Sequence, residues 1–168
     1  MYEFKFNRWK VDFICERFNS CYNECKGVVI VAIYENIAVA VDFSEQSKKA
    51  IEHAKNLAFE YGAKLTLVAV CDTHTFGTVE AYDPKYAQKL VEEYKEALEA
   101  LKQEIIKAGL QVETLVEMGS AKKILTSLKD VDLIVCGATG KSKPQQFVLG
   151  SISQAIVRYS PYDVLIVR

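Results

Sequence analysis

Short apolar runs alternate with amphipathic stretches from Ile37 to the end of the chain. The predicted strands are the runs IAVAVDFS, KLTLVAV, QVETLVEMG, VDLIVCG and DVLIVR. Several of these runs are continuously apolar, which is typical of parallel strands that are covered on both faces. Because strands and helices alternate, the pattern predicts an α/β fold with a five-stranded, parallel, doubly wound sheet and helices on both faces.

Four helices are predicted between these strands. The first begins after Ser44, a favourable N-cap residue, and ends at Gly62. The second runs from about Pro84 to Ala108. Its predicted inner stripe consists of Tyr86, Leu90, Tyr94, Leu98, Leu101 and Ile105. The third is the short stretch SAKKILTSLKD, and the fourth is SISQAIVRYS, which Pro161 ends.

The first 36 residues do not follow this alternation. We therefore expect an N-terminal extension over residues 1–36, made of a helix and a strand, followed by a domain over residues 37–168. The predicted helix has an apolar face, and the run GVVIVAIY forms the predicted strand. That face must pack on its own domain or on a second subunit, and we favour a role in self-association.

Composition excludes several classes of protein. The chain has 168 residues and a formal net charge of −1, so it offers no broad basic surface for nucleic acid or anionic lipid. The run GVVIVAIY is too short to span a bilayer, and the first residues lack the apolar core of a secretory signal. We expect a soluble, cytoplasmic protein with neither a membrane nor a nucleic acid as its partner.

The five cysteines favour the same compartment. Their number is odd and no CxxC pair occurs, which indicates reduced thiols rather than a disulfide framework. Cys15, Cys21 and Cys25 have spacings that match no usual zinc finger, so we expect them to pack on a helix face and expect no metal site.

Gly140, Lys141 and Ser142 suggest the phosphate-binding loop of an ATPase. A Walker loop requires a second glycine five positions before Gly140, and that position is Val135, inside a predicted strand. The next predicted helix also opens only about ten residues later, whereas a Walker lysine lies close to the helix that it introduces. The sequence therefore argues against a Walker loop.

A wider glycine pattern surrounds this triplet. Gly137 and Gly140 follow the fourth predicted strand, and Gly150 and Ser151 open the last helix. Glycine lets a backbone approach a ligand closely, and the free amides at a helix start bind anions. Glycines also end strands and precede helices without any ligand, so the spacing alone leaves phosphate binding open.

The spacing G-x2-G-x9-G-[ST] after an apolar strand resembles the universal stress protein family. The stretches IAVAVDFSEQSKKAI, EMGSAKKIL and DVLIVR also resemble segments of that family, in the same order, so the resemblance covers about Ile37 to Arg168. It implies a flavodoxin-like, adenine nucleotide alpha hydrolase-like fold, a homodimer, and an intact loop that holds the phosphates of ATP, alone or with Mg²⁺.

The resemblance also implies which residues contact the nucleotide. Asp42 would lie near the adenine or ribose with Val41 against the base, Val70 would line the adenine pocket, and Met118 and Gly119 would lie near the ribose. The residues implied around the phosphates are Thr139, Gly140, Gly150, Ser151 and Ser153, and Gly137, the first glycine of the pattern, is also implied in nucleotide binding. The chain departs from the family at Ala121, where proline is common, and in the spacer KSKPQQFVL.

Two functional classes remain open, with a third alternative. The first is an ATP-binding regulatory or stress-response protein with little or slow hydrolysis. The second is an enzyme on the same fold, either an ATPase or a nucleotidyl or phosphoryl transferase; His74 is its candidate base and Asp42 its one placed acid. The third is a homodimer that binds no nucleotide. No catalytic constellation is evident, so we favour the first.

Overall fold

Strands and helices alternate through the described residues of the computed structural model, which are 34–72, 84–140 and 149–168. In chain order the elements are β1 (Asn36–Val41), α1 (Glu45–Tyr61), β2 (Lys64–Cys71), α2 (Pro84–Lys107), β3 (Val112–Met118), α3 (Ala121–Leu125), β4 (Leu133–Gly137), α4 (Ser151–Tyr159) and β5 (Asp163–Val167). The order of strands and helices is the one that the apolar pattern predicts.

The five strands form one parallel sheet in the order β3-β2-β1-β4-β5. β1 lies at the centre, where Val39 pairs with Leu67 of β2 on one side and with Val135 of β4 on the other. The edge strand β3 is less buried and exposes Glu113 and Glu117, as its alternating sequence predicts. The predicted five-stranded parallel sheet is confirmed.

Two apolar clusters lie on opposite faces of this sheet. The first contains α1 and α2, for example Ala54 and Leu98, packed on Val39. The second contains α3 and α4, represented by Leu125 and Ile156, packed on other residues of the same strands. The helices therefore cover both faces in pairs, which is the doubly wound arrangement.

The ends of α1 follow from local chemistry. The Ser44 hydroxyl accepts the Ser47 N–H at 3.2 Å, so it satisfies one of the amides that a helix start leaves without an intrahelical partner. Gly62 ends the helix in the left-handed conformation with φ 65°, and its N–H donates to the Ala58 carbonyl. Both predicted ends are confirmed.

The inner face of α2 differs from the prediction at its first residue. Tyr86 is 55 % exposed, and the next residue, Ala87, is the buried one, at 2 % exposed. Ala87, Tyr94 and Leu101 are spaced by seven residues, close to two helical turns, so Ala87 continues the buried stripe and Tyr86 lies about 100° away from it. The prediction for Tyr86 is wrong.

α3 is shorter than the stretch SAKKILTSLKD suggests, because it ends at Leu125. The Thr126 hydroxyl donates to the Lys122 carbonyl at 2.7 Å, and the Ser127 hydroxyl donates to the Lys123 carbonyl at 2.8 Å. These side chains satisfy carbonyls that another helical turn would otherwise pair with amides.

The amino ends of β1 and β4 are joined by one carboxylate. Asp132 accepts the N–H groups of Glu35 and Asn36, each at 2.8 Å, on the same oxygen, Oδ2. The Tyr34 hydroxyl donates to Asp163 Oδ2 at 3.0 Å. The described fold thus includes residues 34–36, although the predicted domain begins at residue 37.

Several sequence predictions fall outside the described residues. They are the extension up to residue 33 with Cys15, Cys21 and Cys25, the candidate base His74, and the loop that carries Lys141 and Ser142. Within the described part of the chain, no helix combines the length and the apolar character needed to cross a bilayer.

Candidate functional site

The winding of the sheet reverses between β1 and β4. The chain leaves β1 toward α1 on one face and reaches α4 on the other face after β4. Ligands of open parallel sheets bind beyond the carboxyl ends of the strands at such a point, because the two connections diverge and leave a crevice. The exits of β1 and β4 are therefore where we locate the candidate site.

Asp42 is fixed by the turn that leads from β1 into α1. Its Oδ1 accepts the Ser44 N–H at 3.0 Å, and its own N–H donates to the Ser47 hydroxyl at 3.3 Å. Ser44 in turn caps α1, so one set of hydrogen bonds fixes both the start of α1 and the orientation of the Asp42 carboxylate. The second carboxylate oxygen, Oδ2, is left to face the neighbouring loop.

Phe43 holds this turn in a conformation that side chains seldom adopt. Its φ is 61°, in the left-handed region, which costs a residue other than glycine about 1–2 kcal/mol. The Phe43 ring packs edge-on against Tyr94 of α2, with ring centroids 5.1 Å apart and an interplanar angle of 66°. Both rings also pack against the cluster under α1 and α2.

The exit of β4 requires two glycines for different steric reasons. A Cβ atom on Gly137 would lie 2.8 Å from the Cβ of Gln46, so α1 approaches β4 too closely for a side chain. A Cβ atom on Gly140 would lie 2.6 Å from Asp42 Oδ2. The carboxylate and the Gly140 backbone are thus in direct contact across the switch point.

Gly150 and α4 complete this side of the crevice. The Gly150 N–H donates to the Ala138 carbonyl at 2.8 Å, and a Cβ on Gly150 would lie 3.6 Å from the Thr139 Cα. Gly150 is the N-cap of α4 and supplies no side-chain cap. The first amides of α4, including that of the exposed Ser151, therefore have no intrahelical acceptor and present partial positive charge.

Ser153 lies deeper than Ser151. It is 6 % exposed, and its hydroxyl donates to the Gly137 carbonyl at 2.8 Å. This hydrogen bond connects Ser153, in the first turn of α4, to the end of β4. Of the two serines singled out in the sequence, Ser151 is the one with an exposed side chain.

The remaining candidate residues lie at the carboxyl ends of the strands, on the same side of the sheet as Asp42. Met118 is 42 % exposed at the end of β3, and Gly119 has φ 136° and donates its N–H to the Cys71 carbonyl at 3.0 Å. Val41 and Val70 are brought to neighbouring strands but not to one pocket. Val41 is 5 % exposed under α1 and α2, whereas Val70 packs with the cluster on the opposite face.

The structure adds residues that the sequence did not single out. Ser47 bonds to the Asp42 amide, and Gln46 contacts Gly137 and keeps its Oε1 buried without a hydrogen bond among the described residues. Their position in the first turn after the Ser44 cap could have marked Gln46 and Ser47 as neighbours of the site. The contact of Phe43 with Tyr94 carries no local sequence signal, because α2 lies far along the chain.

The thiols near this edge are poorly suited to nucleophilic chemistry. Burial raises the pKa of Cys136 to about 11, against a smaller opposing effect of a hydrogen bond with Ser153. Burial also raises the pKa of Cys71. Because the thiolate is the reactive form, both cysteines remain neutral near pH 7. No three His, Cys, Asp or Glu side chains of the described ranges are grouped closely enough to hold a metal ion.

Comparison with known proteins gives consistent results. The sequence profile of the Universal stress protein family matches residues 33–168. A relative from Staphylococcus haemolyticus, named as a universal stress protein, is 40% identical over 140 residues, which cover 80% of this chain and 85% of that protein.

Solved structures give the same assignment. The universal stress protein UspA from Lactobacillus plantarum is 28% identical and superposes with a TM-score of 0.72, covering 80% of this chain and 98% of that one. A universal stress protein in complex with cAMP is also 28% identical, with a TM-score of 0.60 over 81% of this chain and 98% of the other.

Proposed function

The chain belongs to the universal stress protein family, and we propose that it is an ATP-binding regulatory protein in which hydrolysis is slow or absent. One observation carries the proposal: the Asp42 carboxylate lies directly against Gly140, beside the open N-terminus of α4, at the reversal point of the sheet. This arrangement supports the proposal, because a carboxylate that could accept from a sugar or base lies beside amides that could donate to phosphate.

The phosphates would lie against the loop that joins β4 to α4. Gly140 and Gly150 offer backbone without side chains, and the first amides of α4 with the Ser151 hydroxyl supply hydrogen-bond donors. A helix N-terminus favours an anion through the same unpaired amides and the helix dipole. Thr139, between the two glycines of the pattern, adds a further hydroxyl.

The nucleoside would lie toward β1, β2 and β3. Asp42 Oδ2 is a suitable acceptor for a ribose hydroxyl or an adenine amine. Met118 and Gly119 provide an exposed apolar side chain and a close backbone at the end of β3. The relative that is solved with cAMP supports an adenine nucleotide as the ligand class.

A regulatory role is preferred to an enzyme because the described site holds binding groups without a catalytic set. Asp42 is an acidic side chain at the described crevice, and the nearby thiols of Cys71 and Cys136 are neutral. Phosphoryl transfer needs a group that positions the nucleophile and charges that neutralise the γ-phosphate. Mg²⁺ would reach this site bound to the phosphates of ATP, with the Asp42 carboxylate close by.

We propose in addition that the protein is a cytoplasmic homodimer. Cys71 and Cys136 are free thiols, which fits a reducing compartment. The edge strand β5 has partly exposed Val164, Leu165 and Ile166, and an edge of this kind can receive a second copy.

Nucleotide released from the purified, denatured full-length chain provides the first test. We expect an adenine nucleotide by chromatography, and we expect calorimetry of the emptied protein to show ATP binding that Mg²⁺ does not abolish. GTP and cAMP serve as competitors. GTP tests whether the site discriminates between bases, and cAMP tests whether it requires a triphosphate chain. Finding no released nucleotide and no ATP binding, with or without Mg²⁺, would overturn the proposal.

Two variants connect binding to the described geometry. Gly140→Val should abolish ATP binding, because a branched side chain would stand where the loop meets Asp42. Asp42→Asn should weaken binding by roughly tenfold, the worth of one lost charged hydrogen bond. Asp130→Asn is the matched control, since Asp130 is an exposed aspartate in the connection between α3 and β4. Equal affinity in Asp42→Asn and Asp130→Asn would remove Asp42 from the site.

A further inference from the structure

We infer that Tyr94 of α2 is a positioning residue for the nucleotide site: its contact with Phe43 holds the turn that aims the Asp42 carboxylate at Gly140. The inference rests on the proposed function and assigns a role to α2, a helix that carries none of the predicted site residues. It follows from the left-handed backbone of Phe43 and from the side chain that packs against Phe43.

The backbone of Phe43 needs support from outside the turn. Its φ of 61° is one of two positive values among the described residues other than glycine. A conformation of this kind persists where the surrounding structure over-determines it. The neighbouring hydrogen bonds, from Ser44 to Asp42 and from Ser47 to Ser44, fix the residues on either side of Phe43 but do not involve its side chain.

Tyr94 supplies that support. The two rings meet edge to face with centroids 5.1 Å apart, a favourable geometry for an aromatic pair. Both residues are half-buried and pack against the cluster under α1 and α2. α2 is itself anchored by Leu98 and Ile105, which are 0 % and 2 % exposed. The ring of Tyr94 is therefore a fixed surface against which Phe43 can be held.

The consequence reaches the ligand through Asp42. Rotation about the Phe43 backbone would move Ser44 relative to Asp42 and break the 3.0 Å bond from the Ser44 N–H to Oδ1. The carboxylate would then lose the orientation that places Oδ2 against Gly140. Asp42 is also among the charges that raise the pKa of the Tyr94 phenol, after burial and Cys71, which is consistent with the phenol lying near this carboxylate.

The test separates a positioning role from a general loss of packing by using the second aromatic pair of the same cluster. Tyr34 and Tyr61 also meet edge to face, with centroids 5.4 Å apart, before β1 and at the end of α1. Tyr61→Ala therefore removes a comparable contact from the same cluster without touching Phe43. Tyr94→Phe keeps the ring and removes the hydroxyl.

The first readout needs no nucleotide. Amide hydrogen exchange of Ser44 in the empty protein should be faster in Tyr94→Ala by roughly tenfold, which corresponds to the strain of a left-handed residue that has lost its support. It should be unchanged in Tyr94→Phe and Tyr61→Ala. Unchanged Ser44 exchange in Tyr94→Ala, or equal acceleration in Tyr61→Ala, would overturn the inference whether or not ATP binds.

The second readout is ATP affinity by calorimetry. Tyr94→Ala should bind ATP roughly tenfold more weakly than wild type, whereas Tyr94→Phe and Tyr61→Ala should bind as wild type does. Adding Phe43→Asn to Tyr94→Ala should recover part of the affinity, because asparagine adopts the left-handed region more readily than phenylalanine. Equal losses in Tyr94→Ala and Tyr61→Ala would contradict the inference. A wild-type chain that binds no ATP would overturn the proposed function. The exchange measurement still tests the role of Tyr94 in that case, because it is made without nucleotide.

Discussion

Gly137 and Gly140 both lie at the exit of β4, yet an alanine should have different effects at the two positions. At Gly137 the new Cβ would meet the Cβ of Gln46 at 2.8 Å and its carbonyl carbon at 3.1 Å, and these atoms are held by α1. We expect Gly137→Ala to lower the free energy of unfolding by about 1–3 kcal/mol. At Gly140 the nearest atom is Asp42 Oδ2, the end of a side chain that can move aside by giving up its hydrogen bond from the Ser44 N–H, so the loss should not exceed about 1 kcal/mol.

Urea denaturation of the two single variants measures this difference. Gly140→Ala should still impair ATP binding, since it displaces the carboxylate, whereas Gly137→Ala should act mainly on stability. A Gly137→Ala protein as stable as wild type would mean that α1 can shift away from β4, and the steric account of this glycine would fail.

The importance of the glycines in this loop was predictable from the sequence, but the atoms that they contact were not. Gly137, Gly140 and Gly150 are recognisable because spacing is local information. The contacts with Gln46 and with Asp42 join residues from distant parts of the chain, and neither Gln46 nor Tyr94 differs in type from ordinary helix residues. Val41 and Val70 lie on opposite faces of the sheet because of the register between β1 and β2. Only the assembled sheet defines that register.

The helix α2 offers a test at the level of one element. Leu98 of this helix is fully buried, whereas Tyr86 in its first turn is 55 % exposed. We expect Leu98→Ala to cost about 2–5 kcal/mol of unfolding free energy, because it removes buried methyl groups and leaves a cavity. Tyr86→Ala should change the stability by less than about 0.5 kcal/mol, as surface substitutions usually do.

Thermal or urea unfolding of both variants gives the comparison. A large loss in Tyr86→Ala would restore this residue to the inner stripe that the sequence predicted. A small loss in Leu98→Ala would indicate that α2 is not anchored to the sheet as described, and the support attributed to Tyr94 would lose its basis.

The elements themselves were largely predictable from the sequence. Apolar runs and caps such as Ser44 and Gly62 are strong local signals, and strands and helices followed them. The failures have local physical causes. α3 ends early because Thr126 and Ser127 bond back to its carbonyls, and Tyr86 is large and apolar enough to suggest burial although the helix repeat turns it outward.

The two edges of the sheet differ in chemical character, which bears on the whole molecule. Along β3, Glu113 and Glu117 are exposed, and Glu113 pairs with Lys64 at 2.7 Å, so charge discourages pairing with another strand. Near β5, the exposed residues include Val157 and Tyr159 of α4, at 53% and 66%. The proposed dimer therefore most simply uses the β5 side.

Replacing Val157 by Asp and Tyr159 by Ser should shift the full-length protein toward the monomer, because charge and lost apolar area both disfavour association. Light scattering after size exclusion measures the mass. Phe59→Ser is the matched control, since Phe59 is 72% exposed on α1 and its loss should leave the mass unchanged. A monomeric wild type, or a double variant with the mass of a wild-type dimer, would contradict this placement of the interface.

The pairing of β1 with β4 also determines when the crevice can exist during synthesis. β1, β2 and β3 can form their ladders as soon as residue 118 has left the ribosome, but Ile37 must wait for Leu133 before the crevice has a second wall. A nascent chain of that length already carries Asp42 and lacks Gly140. A nucleotide bound in this crevice, as proposed, would therefore act only on late steps of folding, after the chain beyond Gly140 has been made.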